Sequence, residues 1–371
     1  MGNRYFWWAC CLAGWIANPP THAQDLIPSR LPSLWDKTIN LRLGVGFKDN
    51  VLLSPNAAAE SAFIGTGLDL MLWRLPVEGT QFYLFFTGDD TRFLSGRDVN
   101  KEQSFIAQTQ VKKEFGQHWK TALALQYLYQ DQVFDASTIE TIFRTVKAQG
   151  HSLSLRPSIR RDLPKDYWLE LEFIANRQFF KEPLDDYWQN GPKLTLGRDY
   201  GFGSEASLSY EARNRAYDTR EQTDSVGIPV TGSSLEFWEH EVELVLRHNW
   251  DSKRRWRTTT KLGFELNQDN GSHFYDYFRY QLSQQLRYRT DTWEVKGQAK
   301  VYRYDYAHQT VSAIDPTKRN KTLLVLNLRG EKKLTHSLKL FAELEHERSI
   351  ANLSFDQYRV NTAIAGVDWE F

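Results

Sequence analysis

Cysteine is nearly missing from this chain of 371 residues: Cys10 and Cys11 are the two it has, and both fall within the first 23 positions. Downstream of Ala23 the sequence offers no disulfide, no thiolate metal centre and no cysteine nucleophile. A surplus of one charge is missing as well, since 46 basic residues face 46 acidic ones. Such a balance does not ask for nucleic acid as a partner. Past the N-terminal segment no stretch reaches the roughly 18 apolar residues of a membrane helix. No Gly-x-Ser-x-Gly turn occurs, and no His/Asp/Glu group shows metal-ligand spacing, so neither a metal nor another cofactor is expected.

What is present begins with a leader. Arg4 supplies a positive start, residues 5–17 an apolar stretch too short to span a bilayer, and Thr21-His22-Ala23 a small-residue site. Residues 1–23 therefore read as a cleaved secretory signal. A retained anchor helix is the competing reading, and Pro19-Pro20, which break a helix, argue against it. Residues 24–37, with Pro28 and Pro32 and no periodicity, read as a periplasmic lead. Residues 38–371 form the remaining domain.

That domain alternates with period two. Ile39, Leu41, Leu43, Val45 and Phe47 share one face; Asn40, Arg42, Gly44, Gly46 and Lys48 share the other. About 16 such segments follow one another, each 10–15 residues long, and a tilted bilayer-spanning strand needs about 9–11. Short connections at 75–80, 116–118, 161–166, 198–203, 251–255, 289–292 and 334–337 alternate with longer ones, the largest near 131–146, 218–234 and 307–320. This is the rhythm of a transmembrane antiparallel up-and-down β-barrel, all-β, with both termini on the short-turn side. Negative mean hydropathy is compatible with it, because only alternate residues need face lipid.

Aromatic residues flank the short turns: Phe115 and Trp119, Trp250 and Trp256, Tyr288 and Trp293, where one membrane interface would lie. Tyr129, Tyr217, Trp238, Phe274, Phe278 and Tyr306 are expected to supply a girdle at the other. The chain ends on Ala363, Ala365, Val367, Trp369 and Phe371 opposite Ile364, Gly366, Asp368 and Glu370. Gly366, Trp369 and Phe371 resemble the C-terminal assembly signal of bacterial outer-membrane β-barrels, with Ile364 a departure where a polar residue is usual. The resemblance implies the outer membrane of a Gram-negative bacterium, its lipid, and the barrel-insertion machinery as a transient partner. Gly44-Val-Gly-Phe-Lys-Asp-Asn-Val-Leu-Leu-Ser-Pro55 is similar to the first hairpin of barrels found beside exopolysaccharide systems or behind helical repeats in exporters of surface sugars and lipoproteins. Those helical repeats are not seen in this sequence.

The inward face of such a barrel is crowded with charge. Glu239, Glu241 and Glu243 form a row with Arg257 and Lys261 on the next strand; Glu343 and Glu345 form another beside Arg329. Arg279 and Arg287 are followed by Lys296 and Lys300, while Arg42, Glu170 and Glu172 line other strands. Two readings stand. The rows select a polar solute, as rings of charge do in channels, or they neutralise one another and keep the wall wettable. Tyr302, Tyr304 and Trp168 fall on the same face and could stack on sugar rings or simply fill space. His151, His240, His248 and His346 fall on the outward face, so a lipid-hydrolysing enzyme would require a serine or carboxylate beside one of them. The sequence points to a water-filled, porin-like conduit and away from an enzyme, with a polysaccharide export barrel or a scaffold subunit of an envelope complex as the alternative. Loops 131–146 and 218–234 are the candidates to fold into the lumen.

Overall fold

The computed structural model describes residues 34–55, 58–95, 99–135, 145–312 and 314–371, with nothing to say of the Thr145 side chain. The proposed signal and residues 24–33 of the lead lie outside these. Sixteen strands close into one antiparallel barrel in chain order. They are β1 (Trp35–Lys48), β2 (Ser61–Val77), β3 (Thr80–Phe93), β4 (Lys101–Phe115), β5 (Trp119–Asp135), β6 (Thr145–Asp162), β7 (Tyr167–Phe180) and β8 (Tyr187–Tyr200). β9 (Ser204–Tyr217), β10 (Glu236–Asn249), β11 (Trp256–Asp269), β12 (Tyr277–Arg289), β13 (Trp293–Thr310), β14 (Lys318–Lys333), β15 (Leu338–Ala351) and β16 (Tyr358–Glu370) complete the ring. Among the described residues no helix is long and apolar enough to cross a membrane.

The last strand pairs with the first, Leu41 opposite Trp369 and Lys48 opposite Thr362. Closure satisfies the backbone groups that a sheet edge would leave open, as hydrocarbon requires. Gly44 lies opposite Gly366 at this seam. A Cβ on Gly366 would stand 2.1 Å from the Leu43 carbonyl oxygen and 2.6 Å from the Gly44 Cα, so backbone would have to move. The proposed assembly residue thus has a packing reason of its own to be glycine.

Alternation sorts the faces as expected. Leu43 and Val45 are 53% and 66% exposed on the outside, whereas Arg42 points inward into ion pairs. All seven short turns fall at the expected places, down to Glu78 and Gly79 between β2 and β3, both at positive φ. Two proline positions disturb the ladders: the β6–β7 register skips Arg156 and Pro157, and the β8–β9 register skips Gly191 and Pro192. Proline has no N–H to give.

Three boundaries differ from expectation. The barrel starts at Trp35 rather than at residue 38, because Trp35 to Lys37 pair with Leu72 to Arg74 on the long β2, and Trp35 packs edge-on against Phe82. β13 runs to Thr310, past a register shift after Asp305, and shortens the expected 307–320 loop to 311–317. β5 and β6 extend to Asp135 and from Thr145, consuming much of the expected 131–146 loop.

Candidate functional site

The end of β5 leaves the wall. Along a wall strand burial alternates, but Asp131, Gln132, Val133, Phe134 and Asp135 are all buried. Val133 packs with Phe63 of β2 and with Tyr358 and Val360 of β16, in an apolar cluster that also takes in Val51, Leu53, Phe93 and Val99. Phe134 joins Val146, Ala148 and Leu184. At the end of β5, the Asp135 carboxylate is ion-paired with the Lys321 ammonium of β14. β5 and β14 lie nearly half-way round the ring from each other. The β5–β6 hairpin therefore crosses the lumen, sealed by apolar contacts toward β16 and β2 and anchored by charge toward β14. Loop 218–234, the other candidate, instead packs on its neighbour: the Ser272 hydroxyl donates to the Thr223 carbonyl at 2.7 Å and Arg220 to the Tyr275 hydroxyl at 3.1 Å.

At the level of this hairpin the wall charges interlock. Glu239 accepts from Arg215, lies 3.2 Å from Arg213 and accepts from the Gln189 amide at 2.9 Å. Arg279 bridges Glu265 at 2.5 Å and Glu241 at 3.3 Å, and Tyr277 donates to Glu265 at 2.8 Å. The acidic row was expected to answer Arg257 and Lys261 across β11. Glu243 does so, at 3.8 Å from Lys261. Glu239 and Glu241 look instead to β9 and β12, whose Arg213, Arg215 and Glu211 the sequence reading passed over. Their signal was legible: Glu211, Arg213 and Arg215 alternate on the inward side of β9.

Toward the short turns the pairing is looser. Register places Arg257 of β11 opposite Arg287 of β12, Arg287 opposite Lys296 of β13, and Lys296 opposite Arg329 of β14. Four consecutive strands thus present a basic arc. Lys296 contacts Glu294 at 3.0 Å, and Arg257 donates to the Asn249 side-chain oxygen at 2.8 Å. At the end of the arc Arg329 reaches Glu331 at 2.7 Å, Glu343 at 2.9 Å and Asp368 at 2.9 Å. Asp368 also holds Arg42, which spans to Asp69 and Asp89 at 3.1 and 3.0 Å. Glu172 takes Arg156 at 2.6 Å; Lys300 is buried, and Glu170 and Glu345 lie on the inward side of their strands. Along their strands these charged residues alternate with exposed apolar ones.

The inward aromatics are packing rather than a free track. Trp168 carries the Arg160 guanidinium 4.2 Å above its ring and lies against Gly197. Tyr302, Tyr304, Tyr277 and Tyr306 form one buried cluster, with Leu323 packed against it. Tyr217 and Tyr306, expected in the loop-side girdle, are buried on the inward face, because each shares parity with inward neighbours. Trp238 and Phe278 do face outward. On the outside near the short turns stand Phe115, Trp119, Trp250, Trp256 and Trp293, with Tyr288 at 4.4 Å from Trp256 and Trp369 stacked on Phe371 at 5.0 Å.

The outward histidines meet no serine or carboxylate among the described residues. His151 bonds the Tyr127 hydroxyl at 2.6 Å, His240 that of Tyr210 at 2.9 Å, and His346 the Asn361 oxygen at 2.7 Å. His248 stacks on Tyr200 and meets Trp250 edge-on. In the β11–β12 loop, Asp269, His273 and Asp276 come within 4.8 Å of one another, a group that sequence spacing did not suggest. Its oxygens are engaged: Asp269 accepts the amides of Gly271, His273 and Tyr275, and Asp276 accepts the Asp269 amide and meets His273 at 3.1 Å. Burial, helped by the like charge of Asp269, pushes the Asp276 carboxyl above its usual range. The group shapes this loop.

A closed sixteen-strand antiparallel ring, with the end of β5 turned into its lumen, defines a class of fold, the up-and-down β-barrel. No family model matches the chain, and no curated protein matches it in sequence. Solved structures do. OprB of Pseudomonas putida is similar with TM-score 0.50 and 10% identity, covering 91% of this chain and 94% of that one. OccAB1 of Acinetobacter baumannii is similar with TM-score 0.48 and 8% identity over 91% and 97%. The outer membrane protein OprD of Pseudomonas aeruginosa is similar with TM-score 0.45 and 10% identity over 90% and 94%. At such identities the likeness is one of fold.

Proposed function

We propose that this chain is a non-enzymatic, porin-like conduit for polar solutes in the outer membrane, with both termini periplasmic and the long loops outside. The observation that carries the reading is the hairpin pinned from Asp135 to Lys321, which narrows a lumen too wide for sixteen strands' side chains alone to fill. Below it the basic arc of Arg257, Arg287, Lys296 and Arg329 favours solutes bearing negative charge, since water and low-dielectric walls together focus the field of aligned like charges. The outward aromatics at the short turns serve as the periplasmic girdle, and the end of β16 as the strand read during insertion.

Purified protein in a planar bilayer is expected to conduct without partners. Under a salt gradient its reversal potential should report anion preference, and Arg257→Glu should move it toward cations. A barrel that folds yet stays silent would overturn the reading in favour of an export barrel for a surface polysaccharide or a scaffold subunit.

A further inference from the structure

On the outside of the barrel, a hollow interrupts the apolar band at the seam. On the seam Ala363 of β16 stands between Phe47 of β1 and Leu344 of β15, its register partners. A methyl between two long side chains leaves a hollow, and a cavity of about 380 Å³ opens there, lined also by Leu326 and Leu328 of β14. Its loop-side end is polar. Asp49 accepts the Asn361 backbone amide at 2.7 Å and its side-chain amide at 2.5 Å, and the Asn361 oxygen meets His346 at 2.7 Å.

One step further toward the loops, on the same outward face, Arg348 lies directly opposite Arg359. Both are exposed, and neither guanidinium forms an ion pair or a side-chain hydrogen bond among the described residues. The nearby outward Arg303 is different, because Asp305 holds it at 2.8 Å. Like charges directly opposite on adjacent strands destabilise a sheet, and more so where lipid replaces water. Two abreast guanidinium forks fit a phosphate monoester, which can take parallel N–H···O bonds from each.

We propose that this seam binds a phosphorylated glycolipid of the outer leaflet, one acyl chain in the hollow over Ala363 and a phosphomonoester between Arg348 and Arg359. Charge complementarity and the position of an apolar hollow two same-face steps below the cations, past the Asn361–His346 pair, identify the occupant. The inference rests on the loops facing outside, as in the proposed function, but not on conduction.

The test uses the purified full-length barrel in detergent, with bis-phosphorylated lipid A as probe and native mass spectrometry as readout. Lipid A is expected to stay bound, with dephosphorylated lipid A and phosphatidylglycerol retained about tenfold less, equivalent to about 1.4 kcal/mol. The double variant Arg348→Gln/Arg359→Gln should lose lipid A to the same extent, and Ala363→Trp, which fills the hollow, should lose it while keeping both cations. Heat-modifiable migration confirms that each variant is folded. Equal retention by wild type and double variant, or indifference to dephosphorylation, would overturn the proposal. A mass of two chains that Ala363→Trp abolishes would overturn it too, by showing that a second copy covers the seam. Single-channel conductance should be unchanged in all these variants, so a failed lipid test and a failed conduit reading remain distinguishable.

Discussion

Toward the loops, Glu239 is 1% exposed and engages two arginines and an amide at once; toward the short turns, Arg257 and Arg287 face each other and Lys296 meets Glu294 at 3.0 Å. Both halves of the lumen use the same residue types. What differs is the ratio of partners to charges and the access of water. Where each ion is desolvated and multiply held, removing one strands its neighbours, so the network works as scaffolding. Where a pair keeps some contact with water, as Lys296 and Glu294 do, it adds less to stability and is left to act on whatever passes.

The contrast can be broken hardest at Glu239. Glu239→Ala leaves Arg213 and Arg215 buried without their shared acid and is expected to cost about 3–5 kcal/mol, read by urea unfolding in lipid vesicles. A loss no larger than for a surface pair would mean that the loop-side network is not scaffolding. Next comes the crossing itself. The chain after Ala23 has no cysteine, so Asp135→Cys/Lys321→Cys gives a clean pair. A short bismaleimide should join the two and lock conductance at its wild-type level, whereas failure to cross-link in the folded barrel would remove the constriction from the account.

A smaller effect on stability separates the halves from the other side. Lys296→Ala, which loses a half-open pair with Glu294, should change unfolding by less than about 1 kcal/mol while shifting the reversal potential toward cations. Smallest is the response of the β9–β10 loop to acid. The hydrogen bonds that Arg177 donates to Asp218, one at 2.7 Å, hold that carboxyl below its usual range. A depressed value means the contribution is present above the ordinary carboxylate range and is lost as pH falls through the lowered one. Amide exchange in residues 218–235 should therefore rise at acid pH in the native protein and be high and flat in Asp218→Asn.

Much of this was legible before any coordinates, for a single physical reason. Strict alternation such as that of Leu41, Leu43, Val45 and Phe47 follows directly from lipid on one side and water on the other, and turns such as Glu78-Gly79 mark where it stops. The faces of Arg42, Glu239 and Arg329 followed from parity. Which strand each charge would choose did not. Glu239 looks to β9 rather than β11 because side-chain reach and competing cations decide partners, and neither is periodic. Tyr306 follows the parity of the inward Tyr302 and Tyr304 and not the aromatic-girdle pattern. The crossing of 131–135 left only a weak trace, since a strand buried on both faces loses the alternation by which strands are recognised. The trio in the β11–β12 loop was invisible because its spacing answers to a turn and not to a ladder.

The β1–β16 joint has a kinetic consequence. Each of the other fifteen pairings links consecutive strands, whereas this one joins the two ends of the barrel's chain. Loop-closure entropy places such a contact last, after the hairpins have formed. Until then two hydrogen-bonding margins lie bare, and either could recruit a foreign strand. Nascent barrels of this sequence should therefore be most vulnerable to misassociation just before they shut, and a glycine pair at the meeting point shortens that interval by letting the two backbones dock without waiting for side chains to rearrange.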